Sequence, residues 1–410
     1  MDYSRDTLPG GVRVVTERID HVRSVALGVW IDSGSRDETT GLNGISHLIE
    51  HMVFKGTKNR SAKEIALSLE SLGGSLDGFT SKELTCYHAR FLDEHLHIAC
   101  DVLLDLLNNP VFDQDSLEKE KGVIAEEIKS YYDTPEDIVF DLLFRALFPD
   151  HPLSLNVLGK EGDVRRIHRK ELADYMDAHY AQANTVVAAA GNVDHHELVK
   201  CLKKGFDFRP SRVRANRLPA GITPVVIEEK PQISQAHVAI GSRIFRYRDT
   251  RRYPLLVLNQ ILGSGMSSRL FQRLREDEGL VYTVSSFAEL FSDTGLFGIY
   301  FAIDPKNVNR TFDNLKDEVS KVRREIPTQE LLDAKSSLKG SIVISLESTT
   351  QRMMRLARGE LYLSEYVSLD ETLEQIDRVT GEAVQEILAD LFVEGNQSIA
   401  IVSPTPVSLQ

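Results

Sequence analysis

Two histidines four residues apart, with a glutamate directly before the second, form the part of this sequence best suited to chemistry. They are His47 and His51, with Glu50 between them, in the stretch 44–57 (GISHLIEHMVFKGT). On a helix, residues at this spacing lie on the same face, where two imidazoles can bind one Zn²⁺. Glu50 would lie beside the metal without being a ligand, and a carboxylate there can take a proton from an attacking water. The spacing therefore predicts a hydrolytic metal site.

A helix with two surface histidines is the simplest alternative. The residues around the pair argue against it, because Leu48, Ile49 and the stretch 52–54 (MVF) are apolar. Ionisable groups in such surroundings need partners, and a bound metal would supply them.

Local signals place this stretch between a strand and a second helix. Val22–Ile31 is rich in valine and partly alternating, which predicts a strand. The site helix is expected to start at Asn43-Gly44, and Ser61 with Glu64 forms a capping box that opens the next helix. That helix should end at Gly73-Gly74, before a strand pair formed by 75–80 and 84–90.

Composition limits the class of protein. The chain has 410 residues, 27% of them charged and 42% hydrophobic, with a formal net charge of -13. These values predict a globular protein of two or three domains and argue against nucleic acid as a partner. The apolar runs are too short to span a bilayer, and the N-terminus resembles neither a signal peptide nor a transit peptide. The sequence predicts a cytoplasmic protein without a membrane partner.

The cysteines, three further histidines and one glycine-rich stretch show no spacing that indicates a second reactive site. Cys86, Cys100 and Cys201 form no C-x-x-C pair, so we interpret them as reduced packing residues. His88 lies in a predicted strand and His195-His196 in a loop, with no third ligand at a recognisable spacing. The stretch 263–265 (GSG) lacks the lysine and preceding buried strand of a phosphate loop, and predicts a helix break.

The chain divides at a segment of linker composition. Residues 210–223 are rich in arginine and proline, which predicts a linker between domain 1–209 and domain 224–410. On both sides of it, the predicted order is strand, helix, strand pair, helices and strand. This repetition suggests a duplicated domain.

The third ligand depends on a resemblance. The chain resembles the pitrilysin / mitochondrial-processing-peptidase family of zinc peptidases, whose inverzincin motif His-x-x-Glu-His is followed about 76 residues later by a glutamate. In this sequence that position is Glu127, within the predicted helix Asp115–Tyr132. Glu120, two turns earlier on the same face, matches the family glutamate that supports the ligands.

The resemblance covers nearly the whole chain and implies further site residues. The stretch 274–282 (LREDEGLVY) matches the family segment in which an arginine and a tyrosine hold the substrate carbonyl, here Arg275 and Tyr282. The family's substrate-binding edge strand, which pairs with a peptide by β-augmentation, corresponds to six residues: Ser75, Leu76, Asp77, Gly78, Phe79 and Thr80. Relatives often have Asn-Ala-Tyr where this sequence has Asp77-Gly78-Phe79, which affects the expected subsite preference.

The resemblance implies an α+β fold of two similar domains, each a mostly antiparallel β-sheet with α-helices packed on one face. It also implies one Zn²⁺ per chain and hydrolysis of unstructured or presequence-like peptides. Two alternatives remain. One is a non-catalytic scaffold subunit of a heteromeric peptidase, although all the motif residues are present here. The other is a small-molecule lyase with the same inverted motif, which two domains and an edge strand match poorly.

Longer members of the family join four such domains around a closed chamber, with the zinc in the first domain and the Arg-Tyr pair in the last. This chain has two domains. The resemblance therefore implies a homodimer with sites shared between chains, or a heterodimer with a partner that lacks the motif.

Overall fold

The computed structural model describes residues 2–208, 221–393 and 395–409. Its strands, in chain order, are β1 (Asp2–Thr7), β2 (Arg13–Arg18), β3 (Ser24–Ile31), β4 (Ser75–Thr80), β5 (Thr85–Leu92), β6 (Thr185–Gly191), β7 (Val225–Glu229), β8 (Ala236–Ile244), β9 (Val281–Leu290), β10 (Gly295–Ile303) and β11 (Gln397–Ser403). Its α-helices are α1 (Ile45–Val53), α2 (Ala62–Glu70), α3 (Leu96–Asn108), α4 (Gln114–Asp133), α5 (Pro135–Leu147), α6 (Glu161–Arg166), α7 (Arg169–His179), α8 (His195–Cys201), α9 (Arg252–Gly263), α10 (Arg269–Phe271), α11 (Val308–Arg324), α12 (Thr328–Ser345), α13 (Thr349–Arg358), α14 (Leu369–Asp377) and α15 (Gly381–Leu391). Short π-helical segments, Gln272–Asp277 and Gly359–Leu363, follow α10 and α13.

The described residues form two compact units that are not continuous in sequence. As far as they are described, the first comprises residues 2–130, 155–208 and 345–366, and the second comprises 131–154, 221–344 and 367–409. Each unit thus includes a segment from the other half of the chain, a departure from the linear division at the linker expected from sequence. The predicted linker, 210–223, lies mostly outside the described residues.

Both units contain a mostly antiparallel sheet with the same strand order. The first sheet runs β1-β2-β6-β3-β5-β4 and the second runs β7-β11-β8-β10-β9. Apart from the additional edge strand β1, the strands of the two sheets correspond one to one: β2 to β7, β6 to β11, β3 to β8, β5 to β10 and β4 to β9. The parallel pairs also correspond, since β2 pairs with β6 and β7 with β11 in parallel. The predicted α+β class with two similar domains is confirmed.

The exchanged segments explain why the central strands are apolar on both faces. Every residue of β6 is buried. One face of its sheet, which includes Val187, packs against the core that contains α1, α3 and α4. On the opposite face, Ala188 lies in a cluster with Met353 of α13, which comes from the second half of the chain. In the second unit, α5 covers the corresponding face.

Charged side chains also attach the segment 345–366 to the first sheet. Glu360 is 2% exposed and accepts hydrogen bonds from Arg5 at 2.9 and 3.0 Å, with Arg13 at 3.4 Å. Arg352 pairs with Glu17, which is also 2% exposed. Burying these carboxylates is tolerated because each has a guanidinium partner.

Within the described ranges, no helix combines the length and the apolar character needed to cross a membrane.

Candidate active site

The helix α1 carries both histidines and begins at a glycine that no other residue could easily replace. Gly44, its N-terminal cap, has φ of 94°, and a Cβ there would lie 2.6 Å from the carbonyl oxygen of Leu158. The predicted start of the helix, at Asn43-Gly44, agrees with this boundary. The left-handed conformation and the close backbone approach both require glycine.

A buried carboxylate fixes the first turn of α1. Glu38 is 3% exposed, and its oxygens accept hydrogen bonds from the backbone nitrogens of Gly44 at 2.8 Å and Ser46 at 3.0 Å. It also accepts a 2.7 Å bond from the Asn43 amide. Such an acceptor satisfies backbone N–H groups that lack a partner within the helix and interacts favourably with its dipole. Sequence reasoning missed this residue, because it lies in a loop without a recognisable capping spacing.

The two histidines and Glu127 converge. Glu127 Oε2 lies 3.7 Å from His47 Nε2 and 3.9 Å from His51 Nε2. Among the described residues, these three form the group whose ligand atoms are mutually close enough for a metal ion. Ligand atoms around one tetrahedral zinc lie roughly 3.4 Å apart. The donor set and its spacing therefore fit a zinc ion.

The neighbouring glutamate on α4 points elsewhere. Glu126 is exposed and pairs with Lys129 at 2.6 Å. Adjacent helical residues point about 100° apart, so only one of them can face α1. The structure places Glu127 on that face.

Glu120, which lies on α4 like Glu127, contacts His51 of α1. Its Oε2 lies 3.2 Å from His51 Nδ1, and its Oε1 lies 2.9 Å from Lys55 Nζ. Since an ionised carboxylate only accepts hydrogen bonds, the proton of a neutral His51 is on Nδ1 and the Nε2 lone pair is free for a metal. The structure thus brings Glu120 to the position that the resemblance implies.

His47 is held by packing. It is 7% exposed, and its Nδ1 is buried without a hydrogen-bond partner among the described residues. Burial, aided by the nearby charge of His51, lowers the pKa of His47 to about 3. The imidazole is therefore neutral and can donate a lone pair.

Glu50 lies between the ligands and the edge strand. Thr80 of β4 donates a 2.8 Å hydrogen bond to Glu50 Oε2. Burial raises the pKa of Glu50, and the charges of Glu127 and Asp77 act in the same direction, whereas the Thr80 bond and His51 lower it. A Cβ on Gly78 would lie 3.1 Å from Glu50 Cγ, so a glycine there lets the strand approach closely.

The predicted substrate strand lies at the end of the first sheet. β4 pairs with β5 in antiparallel register, and its other edge has no strand partner within the part of the chain that the structure describes. His88 of β5 stands opposite Asp77 and does not belong to the metal-ligand group. His195 likewise contacts Thr16 and Asp6 instead of a ligand.

Arg275 and Tyr282 lie together in the second unit. The Arg275 guanidinium stacks over the Tyr282 ring at 4.8 Å and donates a 3.0 Å hydrogen bond to the Tyr282 carbonyl oxygen. It also lies 4.9 Å from the Phe271 ring. The Tyr282 side chain is highly exposed, with 73% of the residue accessible. This leaves an aromatic hydroxyl and a cation available to a ligand.

The fold and this donor set define a metallopeptidase-like protein, and the comparisons with known proteins identify the family. Residues 13–161 match the family model "Insulinase (Peptidase family M16)", and residues 166–338 match "Peptidase M16 inactive domain". A Bacillus subtilis protein called an uncharacterized zinc protease is 40% identical over 98% of both chains. A Streptomyces coelicolor protein with the same description is 38% identical, covering 98% of this chain and 89% of its own. The chain belongs to the M16, or pitrilysin, family of zinc peptidases.

Solved structures show the same fold. A Pseudomonas fluorescens protein described as a "peptidase M16 inactive domain" aligns over 100% of both chains with a TM-score of 0.91 and 21% identity. A protease from Helicobacter pylori aligns over 98% of this chain and 99% of its own, with a TM-score of 0.89 and 20% identity. At these identities the likeness establishes the architecture alone.

Proposed function

We propose that this chain is a zinc-dependent endopeptidase that cleaves peptide bonds in unstructured or presequence-like polypeptides. The observation that carries the proposal is the convergence of His47, His51 and Glu127 beside an uncoordinated carboxylate, Glu50. The description of the Bacillus subtilis and Streptomyces coelicolor relatives as uncharacterized zinc proteases supports the same chemistry.

His47, His51 and Glu127 would hold one Zn²⁺ per chain. The ion would supply Lewis-acid polarisation of a carbonyl and would lower the pKa of water. The chain's own contribution is to present two imidazole nitrogens: burial keeps His47 unprotonated, and Glu120, in contact with Nδ1 of His51, leaves Nε2 of that ring facing Glu127. The support of a ligand by a carboxylate also makes the imidazole a better donor.

Glu50 is the general base in this mechanism. A raised pKa matches a group that must take a proton from water and then deliver it to the leaving amine near neutral pH. The Thr80 hydroxyl restrains one carboxylate oxygen and leaves the other available for proton transfer. Because Glu50 is not needed as a ligand, its protonation state can change during the reaction.

The edge strand β4 would bind substrate. Its outer backbone N–H and C=O groups can pair with an extended peptide, which explains a preference for unstructured segments. Thr80 and Gly78 lie in this strand beside Glu50, so the paired peptide would run next to the base. Arg275 and Tyr282 would stabilise the charge that develops on the carbonyl oxygen.

The main alternative is a non-catalytic scaffold subunit of a heteromeric peptidase. A scaffold needs neither a general base such as Glu50 nor a metal site whose His51 ligand is oriented by Glu120. The joint presence of Glu50, Glu120 and the ligand group therefore favours an enzyme.

The test is cleavage of an unstructured polypeptide, such as a basic presequence-like peptide, by the full chain loaded with zinc. We expect internal cleavage sites in the product masses, loss of cleavage after dialysis against a chelator, and recovery when zinc is restored. His51→Ala should abolish both zinc binding and cleavage, whereas the matched control His196→Ala, at an exposed histidine, should affect neither.

Cleavage that survives the chelator and His51→Ala would contradict the proposal. Stoichiometric zinc without any cleavage would favour the scaffold.

A further inference from the structure

Two of the three cysteines lie on neighbouring helices and do not belong to the metal-ligand group. Cys100, in α3, is 2% exposed and belongs to the apolar core of the first unit. Cys201, the last residue of α8, is partly exposed and packs against the same core. Both thiols are free, and the helices that carry them, α3 and α8, pack against each other. Their interpretation as mere packing residues does not account for this pairing.

A histidine completes the cluster. His97 Nδ1 lies 3.0 Å from Cys201 Sγ, and His97 precedes Cys100 by one turn of α3. The Cys201 sulfur therefore lies against the face of α3 that carries both this imidazole and Cys100. Hydrogen bonds of this kind stabilise a thiolate, which is the nucleophilic form of cysteine.

The electrostatics of the pair agree with this geometry. The hydrogen bond from Cys100, followed by the charge and hydrogen bond of His97, lowers the pKa of Cys201 to about 6, against the opposing effects of burial and of the Glu197 charge. The pKa of the Cys100 thiol is raised, first by its hydrogen bond to Cys201 and then by burial, with smaller contributions from the charges of Cys201 and Asp101. Both shifts make Cys201 the thiol of this pair that ionises more readily.

Cys86 provides an internal contrast. It is fully buried in β5, and burial, together with the charges of Glu50 and Asp77, raises its pKa well above the ordinary value. A buried neutral thiol without access to solvent is unreactive. Any reactivity specific to Cys201 can therefore be measured against another cysteine of the same chain.

We propose that Cys201 is a nucleophilic thiol that reacts with peroxides, and that Cys100 is the resolving thiol with which it forms a disulfide. In the first step the Cys201 thiolate attacks one oxygen of hydrogen peroxide. An S–O bond forms, the O–O bond breaks, and the released hydroxide takes a proton to become water. In the second step Cys100 loses its proton and attacks the Cys201 sulfenic sulfur, and the departing hydroxide leaves as water. Two thiols are oxidised to one disulfide and one peroxide is reduced to two waters.

The two steps follow from the contacts. Cys201 is the residue that solvent reaches, so it reacts first. Once it is a neutral sulfenic acid, the thiolate that kept the proton on Cys100 is gone, and Cys100 becomes easier to ionise. Cys100 lies one turn along α3 from His97, the residue that contacts the Cys201 sulfur, so a disulfide can compete with further oxidation.

The principal experiment treats the wild-type full chain, loaded with zinc, with hydrogen peroxide near neutral pH. Exposed thiols are then blocked, and the protein is digested without reduction. We expect a peptide linked through Cys100 and Cys201, reversed by a dithiol reductant, while Cys86 stays unmodified until the protein is denatured. Equal oxidation of Cys86 and Cys201, or oxidation of Cys201 to the sulfinic acid without a disulfide, would overturn the proposal.

The pH profile of alkylation gives a second readout that needs no disulfide. A thiol with a pKa near 6 is largely ionised near pH 6, whereas an ordinary thiol is not, although a thiolate of low pKa is intrinsically less nucleophilic. Taking both effects together, we expect Cys201 to react with iodoacetamide about tenfold faster than an ordinary exposed thiol near pH 6. The midpoint of its profile should lie near 6 and rise in His97→Gln. A midpoint near that of an ordinary thiol in the wild type would also overturn the proposal.

Cys100→Ala separates attack from resolution. In this variant, peroxide should leave Cys201 as a sulfenic acid that dimedone labels, and no internal disulfide can form. Failure of dimedone to label Cys201 would contradict its assignment as the attacking thiol. The wild-type experiment keeps the proposal testable if the variant does not fold.

Discussion

At the scale of single residues, three carboxylates at the candidate site have different environments and therefore suit different roles. Glu127 faces the Nε2 atoms of both histidines and is half-exposed, so it can serve as a ligand. Glu120 is buried against His51 Nδ1 and Lys55, where it can only orient. Glu50 bonds to Thr80 beside the cluster and has a raised pKa, which suits proton transfer.

Glu50→Gln separates catalysis from metal binding. The amide keeps the size of the side chain but cannot accept the proton, and loss of a general base costs about 10²-fold or more in rate. We expect full zinc content and an unchanged unfolding temperature with cleavage reduced at least that far. Wild-type turnover in a zinc-replete sample would remove Glu50 from this role.

Glu127→Ala and Glu126→Ala form a matched pair one residue apart. Because only Glu127 faces the histidines, its loss should lower the zinc content well below one per chain, whereas Glu126→Ala should keep about one. Zinc analysis of the two purified variants makes the comparison. The reverse pattern would mean that the ligand is Glu126.

The residues of this site differ in how far sequence alone could identify them. The histidine spacing is local and visible on a helix, and Glu50 follows from it. Glu127 stands in a helix with several glutamates, so only the resemblance distinguished it from Glu126. Glu38 reaches α1 across a loop, and no local pattern could reveal that contact.

At the scale of elements, α1 is positioned by contacts at its first turn and near its middle. Glu38 holds its first turn, and β4 approaches its middle through Gly78 and Thr80. Local signals predicted the capping box of Ser61 and Glu64 correctly, since both partners lie within one turn. The covering of both sheets by exchanged helices was not predicted, because it depends on contacts between distant segments.

Glu38→Ala should weaken the site through its helix. The change leaves two backbone N–H groups and the Asn43 amide buried without this acceptor, which we expect to lower the free energy of unfolding by about 2–3 kcal/mol. Zinc affinity should fall as well, since the first turn of α1 positions His47. The control Glu64→Ala removes the capping-box carboxylate of α2, a helix that carries no ligand, and should leave zinc affinity unchanged. Equal zinc affinity in both variants would show that Glu38 does not position the site.

The pH dependence of stability gives an independent test of Glu38. Burial raises its pKa to about 7, against the hydrogen bonds that lower it. The folded state therefore binds more protons at this group than the unfolded state between about pH 4.3 and 7, and its contribution to stability falls as pH rises through that window. Glu38→Gln removes this slope. Parallel stability curves for wild type and Glu38→Gln across the window would contradict the assignment.

At the scale of the whole molecule, two units with the same strand order carry different parts of the proposed machinery. The first holds the ligand group and the edge strand, and the second holds Arg275 and Tyr282. The shared topology agrees with the duplication inferred from sequence. The resemblance to longer family members implies that such parts meet across a chamber, and a chain with two domains would need a partner to provide the same arrangement.

We therefore propose that the chain acts as a homodimer with sites shared between chains, and a mixing experiment tests this. One component is His51→Ala, without zinc, and the other is Arg275→Ala/Tyr282→Ala, which should keep zinc but lack the groups for the carbonyl oxygen. Each should be inactive alone. In a mixed dimer, the zinc site of the second variant would face the intact Arg275 and Tyr282 of the first, giving one complete site.

Random exchange of equal amounts makes half the dimers mixed, so activity should return to about a quarter of the wild-type value for a closed twofold dimer. Exchange itself is followed by tagging one component and measuring its co-purification with the other. Recovered activity that rises with the mixed fraction would support shared sites over a heterodimer with another protein. If exchange is demonstrated and the mixture stays as inactive as its components, each chain must build its site without the other, and the shared-site proposal is wrong.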